Sequence, residues 1–216
     1  MADWLHEFDA SYRFMRVDRA TGAEVSELEG FETGGSISRN LDTDVYESAS
    51  ATCEGGLDVG ADLVRVYLDA DFGGEVERVA LGTFVPSVPK RDVSGEVDRA
   101  SVSMQGRLSE LAEDAFDAPF SLPAGSDPVA EAAAICRACG LAVSADASAY
   151  RLSTAWTFGL SETSDGEGGS KLRAVNALLG IAGFASAVTD PMGTVLMRRY
   201  AEPEARPLAA EWREGA

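Results

Sequence analysis

Apolar and polar residues alternate with a period of two through the first half of the chain, and from about residue 109 the spacing lengthens toward that of helices. The stretch that organises the rest is Thr33 to Cys53, TGGSISRNLDTDVYESASATC, which reads as two strands joined by an acidic turn. In its second half Val45, Glu47, Ala49, Ala51 and Cys53 point one way, and Tyr46, Ser48, Ser50 and Thr52 the other. Glu47 sits near the turn, so the buried line is expected to be Val45, Ala49, Ala51 and Cys53, all small enough for a neighbouring sheet to approach closely. A tightly curved sheet or small barrel is the predicted result.

The same pattern continues on both sides. Ser11 to Val17 reads as a first strand, turned by Ala20-Thr21-Gly22 into Glu24 to Leu28. After the break at Gly55-Gly56, Asp62 to Ala70 puts Val64, Val66 and Leu68 on one face and Arg65 and Tyr67 on the other. Glu77 to Val85 returns carrying Val79, Leu81 and Val85, until Pro86 and Pro89 close it. Asp98 to Arg107 turns Ala100, Val102 and Met104 inward and Ser101, Ser103 and Gln105 outward. This gives six or seven strands.

From Ser109 the texture changes. Ser109 to Ala115 is short and helix-prone, and Pro119 to Pro123 reads as irregular. Asp127-Pro128 is a strong helix start, an N-cap carboxylate followed by a residue whose missing N–H is not needed, and the helix runs to Cys139 and stops at Gly140. A strand, LAVSA, and an aromatic segment, Trp156-Thr157-Phe158, follow. Ser170 caps a second helix, Lys171 to Ala182, whose buried side is Leu172, Val175, Leu178, Leu179 and Ala182. Gly183 ends it, and Phe184 to Thr189 is expected to pair with Thr194 to Tyr200 across Asp190-Pro191-Met192-Gly193. The fold class read from this order is α+β and β-rich. It has an N-terminal small β-barrel over 1–108, then a domain of two helix-strand units over 109–200, with 201–216 a linker or the start of a further domain.

Composition narrows the function. With 216 residues, 45% of them hydrophobic, the chain can bury a core without disulfides. Eighteen basic against 36 acidic side chains leave a formal charge of -18, which disfavours a nucleic-acid backbone or an anionic membrane as a bound partner. No basic N-terminal flank precedes an apolar run, and no window approaches the ~18 apolar residues of a membrane span, so residence in a cytoplasm is the expectation. Three cysteines suit a reducing compartment better than a disulfide framework.

Candidate chemistry is sparse. Cys136 and Cys139 form a C-x-x-C pair, which in a thiol oxidoreductase sits at a helix N-terminus, where the dipole favours the thiolate. Here the pair occupies the last helical turn, on the face of Val129, Ala132 and Ala133, and reads as buried small residues. A structural zinc would need two more thiolates or histidines, and only Cys53 and the single histidine, His6, remain. Asp42 with Asp44, Asp69 with Asp71 and Asp165 with Glu167 are paired turn carboxylates without a calcium-loop signature. Gly166 to Gly169 precedes a helix but has neither the spacing nor the lysine of a phosphate loop. The sequence therefore assigns no catalytic, cofactor or metal residue. Trp156 reads as core, whereas Trp4 and Trp212, in poorly patterned termini, read as candidate interface residues, either held by a partner chain or partly exposed.

The order and texture of GGSISRNLDTDVYESASATCEGGLDVGADLVRVYL, VALGTFVPS, DRASVSMQGRLSELAED and KLRAVNALLGIAGFASAVTDPMGTVLMRRY resemble the tail hub, or baseplate hub, proteins of tailed bacteriophages. Relatives include siphophage tail-tip proteins and the N-terminal part of type VI secretion spikes. The resemblance covers about Ser11 to Tyr200. It implies a non-enzymatic structural protein of a phage or prophage virion tail, assembled in the host bacterial cytoplasm. Such proteins form homotrimers whose barrels join the tail tube or distal tail protein to a spike or fibre, with DNA passing through the centre and no membrane contact. A negatively lined channel lets DNA slide without binding. Hub proteins continue into further barrel domains where this chain ends at Ala216, so the resemblance implies a short form or a missing continuation. Two other classes stay open: a cytoplasmic thiol oxidoreductase using Cys136 and Cys139, and a non-viral acidic adaptor for a basic protein.

Overall fold

The structure, a computed structural model, describes residues 4, 7–32, 34–54, 59–87, 90–94, 97–159 and 169–202. Eight strands precede the first helix: β1 (Asp9–Val17), β2 (Glu24–Leu28), β3 (Ser36–Arg39), β4 (Glu47–Glu54), β5 (Leu63–Asp71), β6 (Val76–Pro86), β7 (Lys90–Ser94) and β8 (Val97–Gly106). They form one antiparallel sheet in the order β2-β1-β5-β6-β8-β4-β3, with β7 also on β8. The strand β7 is one the alternation does not predict, because KRDVS carries no apolar line.

The two ends of that path are successive pieces of chain. After Leu28 the backbone leaves the edge of β1 and joins the edge of β4. The Glu54 N–H donates to the Gly30 carbonyl (2.8 Å), the Glu32 N–H donates to the Thr52 carbonyl (2.8 Å), and Phe31 bridges Cys53. Gly30 makes the bend at φ +83°, with Glu54 backbone against it. The Phe31 ring then stacks on Phe14 of β1, centroids 3.8 Å apart. The sheet curls as the small buried residues predict, but no ladder joins β2 to β3 among the described residues, so it is a curled sheet and not a shown barrel.

Inside the curl lie Ala49, Ala51, Cys53, Val64, Val66, Phe84, Ala100, Val102 and Met104. The faces expected for β4 and β8 are those observed, with one correction at the start of β4 and one in β6. Glu47, expected to be solvated near the turn, is 1% exposed and continues the buried line. In β6, Leu81 is an extra residue between Gly82, opposite Val66, and Ala80, opposite Tyr67. This bulge reverses the phase, so Phe84 enters the core and Val85 does not.

The second half holds α1 (Ser109–Ala112), β9 (Phe120–Leu122), α2 (Pro128–Ala138), β10 (Val143–Ala145), β11 (Trp156–Phe158), α3 (Lys171–Ile181), β12 (Val188–Thr189) and β13 (Val195–Met197). The segment 119–123, read as irregular, contains β9, whose partner β11 is remote in sequence. The predicted caps are present. Asp127 Oδ1 accepts from the N–H groups of Val129 (3.0 Å) and Ala130 (3.3 Å), Ser170 Oγ accepts from that of Arg173 (3.3 Å), and Gly140 and Gly183 end the two helices.

β13 takes β10 parallel on one side and β12 antiparallel on the other, so the strands that follow the two helices flank a common partner. Leu172, Val175, Leu178 and Leu179 of α3 pack with Val129, Ala132, Ile135 and Cys136 of α2 in a second apolar cluster. Each such leucine contributes about 1.5–3 kcal/mol by burial.

Candidate functional site

The two clusters meet across a polar seam, which is the most constructed polar feature of the described residues. Its outer part begins with the turn after β12. Asp190 Oδ1 accepts from the N–H groups of Met192 (3.0 Å) and Thr194 (2.8 Å), which holds the turn and leaves the Pro191 and Met192 carbonyls facing the sheet. Thr83 Oγ1 donates to the Pro191 carbonyl (2.9 Å) and accepts from Arg65 Nε (2.9 Å), while Arg65 Nη2 donates to the Met192 carbonyl (3.2 Å). Arg65 Nη1 reaches Glu24 Oε1 (3.1 Å). Arg65 is thereby 3% exposed on a face that alternation alone assigns to solvent.

Close backbone approach completes this part. A Cβ on Gly193 would lie 2.7 Å from Arg107 Cδ and 3.3 Å from Thr83 Cβ, at φ +86°. Arg107 is itself buried and pairs with Glu110 (2.8 Å), which also takes Arg19 (3.1 Å).

The other part lies where the curl ends. Glu47 Oε1 accepts from Arg39 Nε (2.8 Å) and its Oε2 from Thr189 Oγ1 (2.9 Å), while Tyr46 Oη donates to the Thr189 carbonyl (2.5 Å). Arg39 also donates to the Leu81 carbonyl. Burial pushes the Tyr46 phenol up from its ordinary value. Gly106 stands opposite Glu47, and a Cβ there would come within 2.9 Å of Glu47 Cβ. Carboxylate, guanidinium and hydroxyl groups here satisfy one another and the backbone, which is the chemistry of a fixed joint.

Among the described residues, those singled out by sequence do not converge on one site. Cys136 is wholly buried in the second cluster, and burial raises its thiol to about 12. Cys139 is partly buried, and its Sγ donates to Asp114 Oδ2 (3.4 Å). Burial first, then that carboxylate, raises this thiol too. Asp114 is held below its ordinary value chiefly by Lys171.

Of the paired carboxylates, Asp44 lies 3.5 Å from Arg173, and the Asp42 N–H bonds the Asn40 side chain. Asp69 is clasped by Arg13 and Arg78, and Asp71 accepts from the Gly74 N–H. Among the described residues no three His, Cys, Asp or Glu side chains converge on a metal-sized site.

Trp4 is 43% exposed, and Trp156 packs against the second cluster. His6, Asp165, Glu167, Gly166 and Trp212 lie outside the described residues, while Gly169 packs against the Phe158 ring. The seam residues Glu47, Arg65, Thr83, Arg107 and Thr189 escaped sequence reasoning. Only Glu47, on the buried phase of β4, carried a readable signal.

No protein-family model matches the sequence, and no curated sequence matches it. Solved structures do. The tail protein from Neisseria meningitidis MC58 superposes with a TM-score of 0.59 at 14% identity, over 95% of this chain and 56% of that one. The 43 kDa tail protein of prophage MuSo2 from Shewanella oneidensis gives 0.56 at 13%, over 90% of this chain and 54% of that one. This chain therefore spans about half the length of either, and it shares with these two tail proteins a β-rich α+β fold.

Proposed function

We propose that the protein is a structural component of a phage or prophage tail, a hub that joins the tail tube to a spike or central fibre around the DNA channel. The observation that carries this reading is the fold shared with two tail proteins across nearly the whole chain. The seam supports it physically. A part that transmits force between neighbours needs its two clusters fixed to one another, and buried, mutually satisfied polar groups fix relative orientation as well as distance. In this reading the curled sheet serves as the barrel domain, the chain works as a homotrimer, and its acidic surface lets DNA pass without binding. Trp4 and Trp212 remain the proposed contacts to neighbouring chains.

The thiol reading has no observation in its favour, since a thiol raised to about 12 carries almost no thiolate at neutral pH. Two measurements test the hub. Light scattering on a sizing column, at physiological salt and two concentrations, is expected to give three times the chain mass. Disruption of the gene in its bacterial host is expected to abolish particles with complete tails, and tails of normal morphology would sink the proposal.

A further inference from the structure

The register of β1 on β5 brings together three aromatic rings that are far apart in sequence. Asp9 pairs with Asp71, so Phe8, just before β1, continues the ladder beside Phe72, just after β5. The Phe8 and Phe72 centroids are 5.2 Å apart, and Trp4 lies 5.4 Å from each with its ring edge-on to both. Trp4 is 43% exposed, and Phe8 and Phe72 beneath it are partly exposed. This is an apolar tuft at one end of the sheet, away from both buried clusters. Contiguous exposed apolar surface of this kind marks contact sites, and Trp is the residue most enriched among the anchors of protein interfaces.

Charge identifies what the tuft would accept. Besides Trp4, the segments 7–12 and 66–77 contain Glu7, Asp9, Asp69, Asp71, Glu75 and Glu77 and neither Lys nor Arg, and the arginines next along the chain, Arg13 and Arg78, are engaged by Asp69. Asp9 stands directly opposite Asp71 in the ladder, a like-charge pairing that costs stability in the isolated chain. A cation placed over this end would remove that cost. DNA or an anionic membrane would be repelled by the rim. A second copy docking through the same patch across a two-fold axis would set carboxylate against carboxylate.

We propose that the tuft of Trp4, Phe8 and Phe72 is the docking surface for a basic, apolar segment of another protein, whose side chains cover the rings while its Lys or Arg residues meet the acidic rim. The proposal rests on this geometry and charge and not on the fold shared with tail proteins, so its failure would remove Trp4 from the contacts proposed above and leave the tail reading itself standing.

The probe is a 12-residue peptide of alternating Lys and Leu, titrated into the full chain while the indole N–H resonances are followed by NMR. The Trp4 resonance, assigned by its loss in Trp4→Phe, is expected to shift with the peptide. Trp4→Ala should weaken binding about tenfold. Glu75→Gln should weaken it about twofold, and raising salt from 50 to 500 mM at least about fivefold. Trp4 sits in the terminal segment ahead of β1, and unchanged amide shifts elsewhere would verify that the variant is folded. Unaltered affinity in Trp4→Ala, a shift confined to other indoles, or equal binding of an alternating Glu-Leu peptide would each overturn the proposal. So would concentration-dependent self-association of the free chain that Trp4→Ala abolishes, because the occupant would then be a second copy.

Discussion

Arg65 and Asp69 stand on the same face of β5, and their surroundings differ completely. Asp69 is itself only 6% exposed, but it is clasped by Arg13 and Arg78, whose side chains are 43% and 49% exposed, so the cations of that network stay in water. Arg65 lies under the turn 190–193, where its partners are Thr83, the Met192 carbonyl and the part-exposed Glu24. Both sites join guanidinium groups to oxygen acceptors, and the covering layer differs. An exposed ion pair contributes roughly 0–1 kcal/mol, because water competes for both ions and ordering two long side chains costs entropy. Removing one member of a buried polar set costs about 3–5 kcal/mol, since the groups left behind lose both their partners and water. The seam and the open network thus use one chemistry for two ends, orientation in the first and solubility with modest support in the second.

The sharpest way to break this comparison is to remove both ends of the seam. The double variant Glu47→Ala with Arg65→Ala is expected to lose on the order of 5 kcal/mol, the two sites having no common partner and so adding nearly independently. Calorimetry should then show two transitions, with the α2–α3 cluster surviving the curled sheet. A single transition near the wild-type temperature would mean that the seam does not couple the two clusters.

Smaller changes grade the effect. Glu47→Ala alone is expected to cost about 2–4 kcal/mol in urea unfolding, at the lower end of the buried range because Arg39 is half exposed and can rehydrate. Glu47→Gln keeps an oxygen for Thr189 and should recover part of the loss. Gly193→Ala is expected to cost about 1–3 kcal/mol, because its φ of +86° and the 2.7 Å approach to Arg107 both oppose a Cβ. A neutral result there would mean that the turn is free to lift off the sheet.

Much of this architecture is legible in local pattern. The faces of β4 and β8 follow from period-two alternation, and the bounds of α2 and α3 follow from Asp127, Gly140, Ser170 and Gly183. What escapes is set by long-range contact. Glu47 is on the buried phase, but its place near the turn argues for solvent, and the Thr189 that satisfies it is 142 residues away. Arg65 looked like the polar side of an amphipathic strand because nothing local announces the turn that covers it. The bulge at Leu81 inverts a face without leaving a Gly or Pro at that residue, and β9 takes its identity from β11. Trp4 stood out as a large apolar group near a terminus, yet its neighbour Phe72 emerges only from the β1–β5 register.

The smallest expected effect belongs to the open network and carries a pH signature. Asp69 Oδ1 accepts from Arg78 Nε (2.6 Å), and its Oδ2 accepts from Arg78 Nη2 (2.8 Å) and Arg13 Nε (2.8 Å). The Arg78 hydrogen bonds, and after them those of Arg13, hold the carboxyl below its ordinary value of 3.8. A carboxyl depressed in the folded state binds fewer protons there than in the unfolded chain, so its contribution is complete above 3.8 and is lost as pH falls through the lower native value. Asp69→Asn should therefore cost roughly 0.5–1 kcal/mol from pH 8 down to pH 5. The gap to wild type should begin to narrow below about pH 3.8 and close as pH falls through the lower native value, where the wild-type carboxyl also becomes neutral. Denaturant unfolding of both proteins across this range is the check. A loss at pH 7 as large as that of Glu47→Ala would show that exposure of the partner arginines does not set the strength of these pairs, and the contrast between the two regions of β5 would have to be rebuilt on geometry alone.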